Sequence, residues 1–305
     1  MDNKLKIGIK NKTNLTVRLE KLYDVEYYKK PSFFSKIFKE NSYPDIYFHQ
    51  GVLNDDALDM VENSKITIVN SNGMKLNITK KLSSINRDKI KVIYPYVTAK
   101  TIYSKELKKE FRQKFDLDKK TKIIFFHGKD LALSGIDQVF DILESMYESN
   151  FVLMIESSSK EIQKIKLQTN RNKVPYKIIF FEDYKNIDEL FIVADIFLLP
   201  TKLKLFAQSV LKAIYYKCAV FVMDTNHSAE LIDTFSLIQG VEDRSTSFKV
   251  DALLINNDEL KKIQKENYKK SLNFSFESRV DLVLDIISDE VIKGTLKKDD
   301  SKNNV

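Results

Sequence analysis

The stretch PTKLKLFAQSVLKAIYY, residues 200–216, follows an apolar run and reads as a loop leading into a helix. Lys204 and Lys212 stand eight positions apart in it, on either side of the expected helix start. A helix start leaves backbone N–H groups without intrahelical partners, and such groups hold phosphate. The ammonium groups add positive charge and donate hydrogen bonds but cannot accept them. The chemistry on offer is anion binding; the alternative is that both lysines simply face solvent. HGKDLALSG (127–135) brings similar groups. Gly128 lets a ligand approach the backbone closely. Lys129 offers a charge, and Ser134 a hydroxyl that bonds phosphate without one. The same residues also suit a plain turn with a surface lysine. DTNHSAELI (224–232) contributes His227 and Glu230, and His49 closes the strand-like DIYFH. A lone histidine at a strand end is also an ordinary structural residue. No His, Cys, Asp or Glu cluster has metal-ligand spacing, so no metal is expected.

These groups need elements that position them. KLKIGIK (4–10), DIYFH (45–49), KITIVNS (65–71) and KIKVIYPYV (89–97) read as strands, and DDALDMVENS (55–64) as a helix. SKELKKEFRQKF (104–115) is an amphipathic helix with Leu107, Phe111 and Phe115 on one face. Strands at 122–126, 151–156, 176–181, 195–200 and 219–224 then alternate with helices at 136–149, 159–170, 187–194 and near 207–217. Two more helices fill 257–290. Near-continuous apolar strands signal a parallel sheet covered on both faces. Their alternation with helices signals a doubly wound α/β fold, in which ligands bind at the carboxyl ends of the strands.

Composition bounds the rest. The chain has 305 residues, 43% of them hydrophobic, enough for two modest domains. Its net charge of +7 favours polyanionic partners such as nucleotide phosphates, although most lysines belong to a solvated surface. The single cysteine, Cys218, excludes an internal disulfide framework and suits a reducing cytosol. No apolar window is long enough to span a membrane. With seven glycines and neither a GxGxxG nor a P-loop pattern, dinucleotide dehydrogenases and P-loop NTPases lose their support. No nucleic-acid reader motif stands out.

Several segments together resemble the family 4 glycosyltransferases, which have the GT-B architecture. KIIFFHGKDLALSGIDQVFDIL (122–143) is similar to the opening of that family's C-terminal domain. FFEDYKNIDELFIVADIFLLPTKLKLFAQSVLKAIYYKCAVFVMD (180–224) follows its order of elements, including the Ala194-Asp195 step and Pro200. FSFESRVDLVLDII (274–287) resembles its final crossing helix. The resemblance implies two facing Rossmann-like domains, the N-terminal one short. Residues 1–98 would form it on the acceptor side and 99–120 would be a linker helix. Residues 121–275 would be the nucleotide-sugar domain, and 276–305 a crossing helix with a polar tail. It also implies sugar transfer from a nucleotide sugar without a bound metal ion.

Residue by residue, the resemblance places Gly128, Lys129, Ser134, Lys204, Phe206, Ala207, Lys212 and Glu230 around the nucleotide sugar, and His49 at the domain cleft as a catalytic candidate. Lys129 takes the place of a basic residue near the diphosphate, and Ser134 that of a second one. Lys204 and Lys212 take the places of two glutamates, Phe206 and Ala207 those of Phe-Gly. The spacing is kept and the sign reversed, which removes the acceptors for ribose hydroxyls. Two readings follow. One is a transferase acting on an unknown glycan, lipid-linked or protein acceptor, in surface glycan synthesis. The other is a non-catalytic GT-B descendant that binds a ligand or pairs with an active transferase. KKPSFFSKIFKE (29–40) flanks Phe33 and Phe34 with Lys36 and other lysines. That pattern suits a peripheral contact with the inner face of the membrane, or equally a core-facing helix with solvated lysines. The expected location is the cytoplasm.

Overall fold

The computed structural model describes residues 4–29, 43–98, 104–172 and 174–292. The chain forms two compact units, Met1–Tyr96 with Phe274–Val305, and Val97–Asn273.

The first unit holds strands β1 (Leu5–Ile9), β2 (Val25–Tyr27), β3 (Ile46–Phe48), β4 (Ile66–Val69) and β5 (Ile90–Val92). They pair in parallel in the order β2-β1-β3-β4-β5. Parallel neighbours require crossovers, and short polar caps start them. Thr13 forms a capping box at helix Asn14–Glu20, Asn54 caps Asp55–Asn63, and Ser71 caps Asn72–Lys81. Helix Phe276–Ile286, from the segment expected to cross back, buries Val280 and Val283 in one core with Leu15, Leu19 and Ile7. The expected short domain thus carries a full five-stranded sheet.

The second unit holds β6 (Lys122–His127), β7 (Phe151–Ser157), β8 (Lys177–Glu182), β9 (Ile196–Leu199), β10 (Ala219–Met223) and β11 (Leu237–Ile238). All pair in parallel, in the order β11-β10-β9-β6-β7-β8. Counted within the unit, this is the doubly wound dinucleotide-fold order, with its reversal between β6 and β9. Every residue of β7, β9 and β10 is buried, as their unbroken apolar runs require. Helix Ser104–Lys114, expected as a linker, packs on this unit. Phe111 lies 6.1 Å from the Phe181 ring. The Arg112 guanidinium donates to the carbonyls of Asp118 (2.6 Å) and Thr121 (2.9 Å). Both units are the Rossmann-like α/β domains anticipated from the periodicity. Among the described residues no helix is long and apolar enough to cross a membrane.

One backbone contact locks the reversal. Gly135 has φ +92°, and a Cβ there would lie 2.0 Å from the Pro200 carbonyl oxygen just beyond β9. Gly135→Ala therefore combines a left-handed backbone with a clash against main chain. It should cost about 2–4 kcal/mol, read as a lowered denaturation midpoint in urea.

Candidate functional site

The site is built where the strand order reverses. β6 ends at His127 and β9 at Leu199, and in doubly wound sheets ligands bind at this switch point, outside the carboxyl ends of the strands. Gly128 follows β6. A Cβ on it would stand 2.2 Å from Ser134 Oγ, and its carbonyl accepts a 2.6 Å bond from Ser157 Oγ. Ser134, a candidate phosphate contact, is buried against Gly128. Lys129 is exposed and makes no hydrogen bond or ion pair among the described residues.

The three loops anticipated from the sequence come together through hydrogen bonds. The Leu133 carbonyl accepts from Lys202 N (3.0 Å) and from Thr201 Oγ1 (3.2 Å), tying the loop after β6 to the loop after β9. Buried Asn226, after β10, donates to the carbonyls of Leu203 and Leu205, both at 2.7 Å. Its Oδ1 accepts from Ser228 N and Oγ, and His227 N donates to the Lys204 carbonyl at 2.8 Å. The Lys204 backbone is thereby fixed while its side chain stays exposed.

Phe206 is buried and anchors the loop. Ala207 is the N-cap of helix Gln208–Tyr215 and supplies no side-chain cap, so the first-turn N–H groups face the loop without one. Lys212 has a different fate from Lys204. Its ammonium donates to Asp188 Oδ1 at 2.6 Å, and Asp188, in the first turn of helix Ile187–Val193, is only 6% exposed. An ionised carboxylate this deep needs a partner, and Lys212 is that partner.

A second acid–base pair escaped the sequence reading. His127 Nδ1 lies 2.5 Å from Glu156 Oε2, across the register of β6 and β7, with Glu156 buried. The only signal was that two apolar strands, KIIFFH and FVLMIE, each end on a polar residue. His227 is buried, which lowers its imidazole pKa. Lys204 acts in the same direction and Glu230 opposes. Glu230 itself is exposed.

His49 belongs to the first unit, just past β3. It is buried, Tyr47 OH lies 3.2 Å from its Nδ1, and its Nε2 has no partner among the described residues. Burial pushes its pKa down. Phe33, Phe34 and Lys36 lie outside the described residues. Among the described residues no group of three His, Cys, Asp or Glu could hold a metal ion.

The family model of glycosyl transferases group 1 matches residues 108–270. Three solved structures share the fold. A glycosyltransferase from Rickettsia africae is 16% identical, with a TM-score of 0.70, over 94% of this chain and 77% of that one. HepE from Anabaena, solved with UDP-glucose, is 13% identical, with a TM-score of 0.68, over 80% and 71%. WaaG, a glycosyltransferase involved in lipopolysaccharide biosynthesis, is 15% identical, with a TM-score of 0.63, over 81% and 75%. They are structural likenesses to GT-B glycosyltransferases with paired Rossmann-like sheets. No curated protein sequence matches the chain.

Two outcomes test this geometry. Lys212→Met leaves Asp188 buried and unpaired and should cost about 2–3 kcal/mol, discounted for the partly exposed lysine. Lys212→Met with Asp188→Leu should recover most of that loss in urea unfolding. For His49 the folded pKa lies below the ordinary value of about 6.5, so the unfolded chain binds more protons at mildly acid pH. Its contribution is complete above about 6.5 and is lost as pH falls toward the folded pKa. The melting temperature should drop between neutral and mildly acid pH, and less steeply in His49→Gln.

Proposed function

Because the chain belongs to the glycosyl transferases group 1 family, we propose that its second unit holds the diphosphate of a nucleotide sugar at the β6–β9 reversal and delivers the sugar to an acceptor. The observation that carries this reading is the convergence of three hydrogen-bonded loops at the carboxyl ends of β6, β9 and β10. They present Gly128, exposed Lys129 and Lys204, and the open N–H groups of helix Gln208–Tyr215. During transfer the anomeric carbon exchanges a phosphate oxygen for an acceptor oxygen, and negative charge grows on the leaving diphosphate. Ammonium and N–H donors on a fixed frame stabilise that charge. Such a site needs no metal ion to hold the diphosphate.

A second reading draws on the Lys212–Asp188 pair. The resemblance gives position 212 an acceptor role toward ribose, whereas here it carries an ammonium committed to a buried carboxylate. A protein that binds a nucleotide or partners a transferase, without transferring sugar itself, also fits that change. Release of nucleoside diphosphate from the nucleotide sugar separates the two, since a binder gives none.

The test is calorimetry with a panel of nucleotide sugars and bare nucleoside diphosphates, repeated with a chelator. Saturable, chelator-insensitive binding is expected. Lys129→Ala and Lys204→Ala should each weaken it about tenfold, about 1.4 kcal/mol. Binding by no nucleotide, or binding unchanged in both variants, would sink the proposal.

A further inference from the structure

The first unit carries a groove of about 560 Å³ between helix Asn14–Glu20 and helix Phe276–Ile286, remote in kind from any phosphate chemistry. Its floor is apolar, from Val17, Phe276 and Val280. Its walls carry opposite charge. Arg18 and Lys21 line one side from the end of the first helix. Glu277 and Asp281, one turn apart, line the other from the second helix. All four are exposed, and none of their side chains makes a hydrogen bond or ion pair among the described residues. Val17 and Leu282 are each 42% exposed on the same two helices.

Two features of this face are unusual together. Four charges of both signs sit around an apolar strip without neutralising one another. The apolar strip exposes Val17, at 42%, while the half-buried Phe276 and the buried Val280 beneath it join the core of Leu15, Leu19 and Val283. A two-fold axis satisfies both. In an isologous interface residue i meets j and j meets i, so one patch must complement itself. Here the basic helix of one copy meets the acidic helix of the other, twice, around paired apolar strips. A partner bearing only one sign of charge would leave half of the groove unmatched.

We propose that this face is a dimer interface between two copies of the chain, with Arg18 and Lys21 of each set against Glu277 and Asp281 of the other. The inference stands apart from the transferase reading, because none of these residues belongs to the β6–β9 crevice.

Charge reversal tests it. Wild-type protein should sediment as a dimer at micromolar concentration in low salt, and weaken as salt is raised. Arg18→Glu with Lys21→Glu should sediment as a monomer, as should Glu277→Lys with Asp281→Lys. An equimolar mixture of the two variants should recover a heterodimer, which misfolded proteins would not do. Three results would each overturn the proposal: a monomeric wild type, a dimer unaffected by either reversal, or a mixture that stays monomeric.

Discussion

The Leu133 carbonyl is the joint on which the ligand face of the second unit depends. Doubly wound sheets open a crevice where consecutive crossovers leave in opposite directions. The same divergence leaves the loops on either side without a shared strand to hold them. Leu133 accepts from both Lys202 N and Thr201 Oγ1, and the Cβ-free Gly135 lets Pro200 come close enough for that to happen. Asn226 repeats the device one strand farther, with its amide spanning two carbonyls of the loop after β9. Buried amide and hydroxyl groups with full complements of partners rigidify what they join. The exposed cations Lys129 and Lys204 are therefore long flexible chains on a stiff base. On the proposed reading, an anion would be held there without first ordering the backbone around it.

Charge is distributed by burial. Lys204 and Lys212 have the same side chain and a regular spacing, yet they differ in what lies within reach. Lys204 sits exposed on its loop and lowers the pKa of the buried His227 together with burial. Lys212 lies a turn into its helix, beside the buried Asp188 carboxylate that accepts its hydrogen bond. His127 and Glu156 repeat the pattern of a buried acid with a more exposed base. In each pair the acid is the deeper member and the base the more exposed one. The cations that the loops after β6 and β9 leave exposed are Lys129 and Lys204.

The parts of this architecture legible in the sequence are those specified locally. β6, β7, β9 and β10 are apolar runs bounded by turn residues, and burial on both faces makes such runs unambiguous. β2 and β11, with three and two residues at sheet edges, carry too little pattern to register. Helices Asn14–Glu20 and Asn72–Lys81 went unread, because they start on caps, Thr13 and Ser71, and show little apolar periodicity. Gly128 and Lys129 lie one and two residues past β6, and Lys204 in the loop after β9, so the strand ends alone locate them in the sequence. Asp188 was not, because its partner is 24 residues away on another helix. Glu156 faces His127 only through the β6–β7 register, and Asn226 acts on carbonyls more than 20 residues back. Pairings set by tertiary register leave no spacing to read.

Binding and transfer make different demands, and the described residues meet them unequally. Holding a diphosphate takes donors and positive charge, which the loops after β6 and β9 supply. Accepting the proton of an incoming hydroxyl takes a group with a free lone pair near neutral pH. Ammonium groups cannot serve, so lysine at positions 204 and 212 supplies donors where the family resemblance implies carboxylate acceptors. Burial works in the other direction at His49 and His227, lowering both pKa values and keeping each imidazole neutral with a lone pair. Within the second unit, His227 is the buried imidazole whose backbone is bonded to Lys204, on the loop that the proposal assigns to the diphosphate. The proposed binding draws on several donors of that frame, whereas proton transfer asks for a lone pair that no ammonium group has.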